Sequence, residues 1–257
     1  MKNTETAEKI VEIESFSEAK TSSTPQPRKG IYLLPNLLTT GALFGGFYAV
    51  LSGFSGSFEI AAIAIFVAMV FDGLDGRVAR MTNTQSDFGV QYDSLSDMVS
   101  FGIAPAIVVY GWGLTGLGKV GIAAAFVYAS CAALRLARFN VQSSLNSGKF
   151  FIGLPSPAAA ALIAGFVWSA QSIQSSWFIS AFTALLTAIA GLLMVSNFKY
   201  PSFKQIDLRG RVPFVVILSI VMSFVVITID PPRILLMLAL GYAFYAPVKF
   251  LWSKFRK

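Results

Sequence analysis

Four aspartates define the chemistry open to this chain. They lie in Phe71-Asp72-Gly73-Leu74-Asp75-Gly76-Arg77-Val78-Ala79-Arg80 and, after a further eight residues, in Gly89-Val90-Gln91-Tyr92-Asp93-Ser94-Leu95-Ser96-Asp97. Asp72 and Asp75 are three apart and Asp93 and Asp97 four apart, so on helices each pair occupies one face, one turn above the other. Two such helices facing each other would bring four carboxylates together. Two divalent cations would cancel their charge of minus four, and ligation by oxygen alone selects hard ions such as Mg²⁺ or Mn²⁺. Such a pair of ions stabilises both the attacking and the leaving oxygen in phosphoryl transfer. Gly73, Gly76 and Gly89 remove side chains where a bulky ligand could approach the backbone. Glycine in membrane helices also permits close packing, so each glycine alone is a weak signal. Histidine is absent, which excludes imidazole triads and zinc sites, and the single cysteine, Cys131, lies in an apolar run and has no partner for an internal disulfide.

The elements that must position these aspartates belong to a membrane. Of 257 residues, 55% are hydrophobic and 13% charged, against about 25% charged in an ordinary soluble domain. The expected fold is all-α and polytopic, with about eight transmembrane helices, at residues 33–53, 57–79, 88–112, 119–138, 154–173, 177–196, 212–229 and 233–252. No internal repeat is visible. Residues 1–30 hold five basic and five acidic residues with few large apolar ones, a composition that predicts a disordered tail. With both ends in the cytosol, eighteen of the twenty Lys and Arg face that side, leaving Lys119 and Arg233 opposite. That asymmetry follows the positive-inside rule, explains the basic balance, and leaves no basic face for nucleic acid. An unneutralised carboxylate costs roughly 2.5–3.5 kcal/mol at the bilayer centre, so four require compensation. Counted along their helices at about 1.5 Å per residue, both pairs fall near the cytosolic head groups.

These segments resemble the signature of the CDP-alcohol phosphatidyltransferase family, Asp-x2-Asp-Gly-x2-Ala-Arg, seven or eight residues, then Gly-x3-Asp-x3-Asp, with every fixed position present. The resemblance covers about residues 33–204 and implies a six-helix catalytic core, with residues 205–257 adding two further helices and a basic C-terminus. It implies enzymes that displace CMP from a CDP-linked lipid by an alcohol. Carried over by position, Asp72, Asp75 and Asp93 would be metal ligands, and Asp97 would contact the second of two metals and act as general base. Asp72, Gly76, Ala79, Arg80 and Gly89 would line the cytidine-diphosphate site. The resemblance also implies a homodimer in the membrane, expected here to be the bacterial inner membrane.

Relatives differ in the acceptor alcohol. Ala133-Leu134-Arg135-Leu136-Ala137-Arg138-Phe139-Asn140, Phe151-Ile152-Gly153-Leu154-Pro155-Ser156-Pro157 and Met194-Val195-Ser196-Asn197-Phe198-Lys199-Tyr200-Pro201 resemble the bacterial and archaeal phosphatidylserine synthases of the family. That implies CDP-diacylglycerol and L-serine as substrates, with Arg135, Arg138 and Asn140 as candidates for holding the acceptor. A guanidinium can hold the serine carboxylate through paired N–H donors. It would equally hold the phosphate of glycerol 3-phosphate or inositol phosphate, though choline offers no anion. The arginines also suit a positive-inside anchor, and Asn140 a helix terminator. The first span, from Pro35-Asn36-Leu37, has Ala42 where some relatives have Asn, so no amide side chain is available there. Two rivals come from other classes. An ion-coupled transporter using the aspartates as relays leaves Gly76, Ala79, Arg80 and Gly89 unexplained together. A prenyltransferase would consume an allylic diphosphate and release pyrophosphate.

Overall fold

The computed structural model describes residues 33–143, 150–173, 176–201 and 214–255. The expected tail over residues 1–30 lies outside the described residues, as do Lys149, Lys204, Arg209, Arg211, Arg256 and Lys257 of the charge count.

Helix α1 (Leu33–Phe54) and helix α2 (Phe58–Met81) form the tightest pair. Lipid tails are as apolar as leucine, so helices in a membrane associate through close packing of small residues. Ala42, Gly45, Gly46, Ala49 and Gly53 are buried on α1, Gly45 meeting Ala64 and Ala68 of α2 while Gly46 and Gly53 face Ser100 and Val108 of the third span; Phe44, Phe47 and Leu51 point outward. A Cβ at Gly45 would stand 3.1 Å from that of Ala68.

The third span is not one regular helix. Helix α3 (Asp87–Asp97) is capped by Ser86, whose Oγ accepts from the Gly89 N–H at 3.0 Å. It widens into a π-helical turn over Met98–Ile103, resumes as α4 (Ala104–Val109), and widens again over Tyr110–Leu114. Pro105 has no N–H to give to the carbonyl one turn back, that of Phe101. Tyr128 supplies the missing donor, its hydroxyl reaching the Phe101 oxygen at 3.0 Å.

Helix α5 (Lys119–Ser143) follows, then α6 (Ser156–Ser169), α7 (Trp177–Val195), α8 (Phe214–Ile229) and α9 (Pro231–Phe255). A short antiparallel pair joins β1 (Phe150–Ile152) to β2 (Lys199–Pro201). The last helix packs on α6: Ala239, Ala243 and Ala246 are buried, and a Cβ at Gly165 would stand 3.2 Å from Leu236 Cα. Tyr200, fully buried, donates to the Ala243 carbonyl at 2.9 Å.

Among the described residues the helical stretches fall where the eight expected spans lie, and the architecture is all-α apart from the small β pair. Five are long and apolar enough to cross a membrane, namely Leu33–Phe54, Asp87–Leu117, Lys119–Val141, Trp177–Val195 and Pro231–Phe250. The chain is an integral membrane protein. The other stretches depart from that standard for separate reasons. Helix α2 carries Glu59, Asp72, Asp75, Arg77 and Arg80; α6 has 14 residues and α8 has 16, where about 20 are needed to cross the hydrocarbon.

Candidate active site

Asp72, Asp75 and Asp93 each present a carboxylate oxygen within 4.8 Å of the other two. Helix α2 supplies the first two from one face and α3 the third, as the spacing requires. Asp75 is buried and the other two half-buried. Three like charges this close in an all-oxygen setting form a donor set for a hard metal ion, and the cluster could bind one. Asp97, one turn beyond Asp93, lies outside that trio; its carboxyl sits beside that of Asp72, with Asp93 and Arg135 as its other charged neighbours.

Helix α1 braces both acidic helices. Thr39 Oγ1 donates to Asp75 Oδ2 at 2.6 Å. Ser96 Oγ donates to the Thr39 carbonyl at 3.2 Å and Ser100 Oγ to the Ala42 carbonyl at 2.9 Å. Ser96 and Ser100 are one turn apart and so share the face of the third span that meets α1. The sequence reading missed these contacts. Their only trace was hydroxyl residues in apolar helices, which more often bond to their own helix.

The glycines divide by surroundings. No protein atom lies within 4 Å of a Cβ built at Gly73 or Gly76, both exposed, so neither packs a neighbouring helix among the described residues. Gly89 is closer set, with Ser86 Oγ at 3.2 Å and Asn36 Oδ1 at 3.5 Å from such a Cβ. Ala79 is half-buried and Arg80 exposed in the last turn of α2.

The structure separates the candidates on α5. Arg135 is buried, donates from Nη1 to Ser156 Oγ at 3.0 Å, and has an Nε with no hydrogen-bond partner among the described residues. Its electrostatic neighbours include the Asp97 carboxyl and the neutral hydroxyl of Tyr242, from the last helix. Arg138 turns elsewhere: Nη2 donates to Asn197 Oδ1 at 2.9 Å and Nη1 to the Val195 carbonyl at 3.5 Å. Asn140 does not end its helix, which runs on to Ser143; its Nδ2 donates to Ser94 Oγ at 3.0 Å and ties α5 to α3 between Asp93 and Asp97. The other two segments that resembled the serine-using branch pair with each other. Besides the β1–β2 pair, the Gly153 N–H donates to the Phe198 carbonyl and that of Leu154 to the Leu193 carbonyl, both at 2.9 Å. Gly153 has φ +81°, the left-handed region glycine tolerates, and a side chain there would meet the Met194 carbonyl. The three segments thus form one unit, with Ser156 on Arg135 and Asn197 on Arg138.

The family model for CDP-alcohol phosphatidyltransferase matches residues 32–195. A CDP-diacylglycerol–serine O-phosphatidyltransferase of Helicobacter pylori is 36% identical over 203 residues, covering 77% of this chain and 84% of the relative. A protein of the same name from Methanocaldococcus jannaschii is 40% identical over 187 residues, 73% and 82% of the two chains. An archaetidylserine synthase of Methanothermobacter thermautotrophicus is 38% identical over 171 residues, 65% and 69%. The chain belongs to the CDP-alcohol phosphatidyltransferase family.

Proposed function

We propose that this member of the family transfers the phosphatidyl group of CDP-diacylglycerol to L-serine, giving phosphatidylserine and CMP. The observation that carries the reading is a carboxylate cluster with a buried guanidinium beside it: Asp97 neighbours both Asp72 and Arg135. The names of the relatives point the same way.

Asp72, Asp75, Asp93 and Asp97 would hold two divalent cations, Mg²⁺ or Mn²⁺. Bound there, the ions would supply positive charge against the diphosphate and ease departure of CMP. Asp97 takes the proton of the serine hydroxyl as its oxygen bonds to the phosphatidyl phosphorus. The bond from that phosphorus to the CMP oxygen breaks, and CMP leaves with the electron pair. Arg135 holds the serine carboxylate, its Nε being the buried donor still to be satisfied. The open faces of Gly73 and Gly76 leave room for the cytidine diphosphate, which Ala79, Arg80 and Gly89 would line. Arg138 and Asn140 serve the acceptor indirectly, by fixing α5 against α7 and α3.

Residues 31–204 would form the catalytic domain, with 205–257 buttressing it. Lys and Arg asymmetry supports both ends in the cytosol, so that the site meets its nucleotide at the inner face of a bacterial cytoplasmic membrane while the acyl chains stay in lipid. A homodimer is the expected assembly.

The experiment is CMP release by purified protein in detergent, with CDP-diacylglycerol and Mn²⁺ or Mg²⁺. Serine-dependent CMP is the expected result. Release only with glycerol 3-phosphate, inositol phosphate or choline would keep the reaction and overturn the acceptor. No release under any condition would favour a transporter.

A further inference from the structure

Thr39 sits on an apolar helix that contributes no acid to the cluster, yet it touches both helices that do. Its side chain is buried, and its Oγ1 lies 2.6 Å from Asp75 Oδ2, within the ~2.5–2.7 Å of an O–H donor on an ionised carboxylate. The carbonyl of Pro35, 3.1 Å from the same Oγ1, is the acceptor a helical threonine normally uses. One hydroxyl has one proton, and the shorter contact is to the carboxylate. The Thr39 carbonyl in turn accepts from Ser96, the residue before Asp97.

We infer that Thr39 is a positioning residue: its hydroxyl fixes the rotamer in which Asp75 joins Asp72 and Asp93, so that the cluster's affinity for a divalent cation depends on a residue that is not a ligand. This rests on the reading of Asp75 as a metal ligand. Without the Thr39 hydroxyl, the Asp75 carboxylate would keep only the Gly76 backbone N–H of its own helix, and a carboxylate held from one helix alone is less fixed in its ligating orientation, which weakens the site. Ser96 extends the effect to α3, because the peptide that carries the Thr39 hydroxyl also receives the bond from the Asp97 side.

The test is direct Mn²⁺ binding by substrate-free protein in detergent, followed by the electron paramagnetic resonance of unbound Mn²⁺. Thr39→Val, of the same shape but without the donor, should bind Mn²⁺ about 10-fold or more weakly than wild type, the usual scale for removing a ligand's hydrogen-bond partner. Thr39→Ser should restore binding, a rescue that a purely packing role would not give. If Thr39→Val fails to fold, Thr39→Ala is read in its place with the same expectation. Wild-type affinity in the valine or alanine variant, or no rescue by serine, overturns the inference while leaving the metal reading intact. Asp75→Asn distinguishes the two: Mn²⁺ binding unchanged by that substitution, or absent from wild type, sinks the metal reading and this inference with it.

Discussion

Arg135 donates to Ser156 Oγ at 3.0 Å, and that single contact joins the fifth helix to the first residue of α6. Ser156 is held in turn by the paired loops around Gly153 and Phe198. The guanidinium is therefore aimed by a short unit from outside its own helix, with its Nε unpartnered among the described residues and Asp97 as a neighbour. Arg138, three residues on, is committed to Asn197 and Val195.

Arg135→Lys and Arg138→Lys should consequently differ. The first should raise the serine KM about 10-fold or more, since a charged hydrogen bond contributes about 1.5–3 kcal/mol, and should leave the CDP-diacylglycerol KM much less changed. The second should lower thermal stability and move the serine KM little. Initial rates over both substrates, with a melting curve, check this. Equal effects on serine KM would return both arginines to one role.

Asp97→Asn should lower turnover by about 10²–10⁴-fold, the usual weight of a general base. Nucleotide binding should largely survive on the trio of Asp72, Asp75 and Asp93, which needs no atom from Asp97. Single-turnover CMP release and equilibrium CDP binding separate the two effects. Full turnover would remove Asp97 from proton transfer.

Two glycines of α1 and α2 should respond oppositely to an added methyl. At Gly76 a Cβ meets no atom of the described residues within 4 Å, so Gly76→Ala should fold as wild type and raise the CDP-diacylglycerol KM. At Gly46 a Cβ would stand 2.5 Å from Ser100 Oγ and 2.6 Å from its Cα. Gly46→Ala should therefore destabilise the protein by forcing α1 away from the third span, on the scale of about 1–3 kcal/mol for overpacking. Melting curves beside KM values test both.

The last helix also reaches the site. Tyr242 neighbours Arg135 and gives its hydroxyl to the Pro201 carbonyl at 3.2 Å. Tyr242→Phe should raise the serine KM, whereas Tyr200→Phe, which loses a bond to Ala243 on the same pair of elements, should lower the melting temperature without that change. Identical kinetic effects would make Tyr242 a structural tether only.

The sequence by itself determined the membrane class, the helix positions and the metal-ligand candidates, because each rests on local periodicity. A run of about 20 apolar residues has one economical structure in lipid, and acids three or four apart share a helix face wherever that helix sits. The same locality identified Gly73 and Gly76 as possible ligand space without separating that from helix packing; that no neighbouring helix among the described residues packs on them was decided by how α2 lies against its neighbours. Contacts between distant segments were decided only by tertiary structure. Arg135 and Arg138 have the same chemistry one turn apart, and Ser156 and Asn197, respectively 21 and 59 residues from them, set the difference. Thr39 and Asp75 are 36 residues apart, and the final helix carried no motif at all. Side chains that act by bracing one helix on another leave no periodic trace, because the hydrogen bond exists only once the backbones have packed.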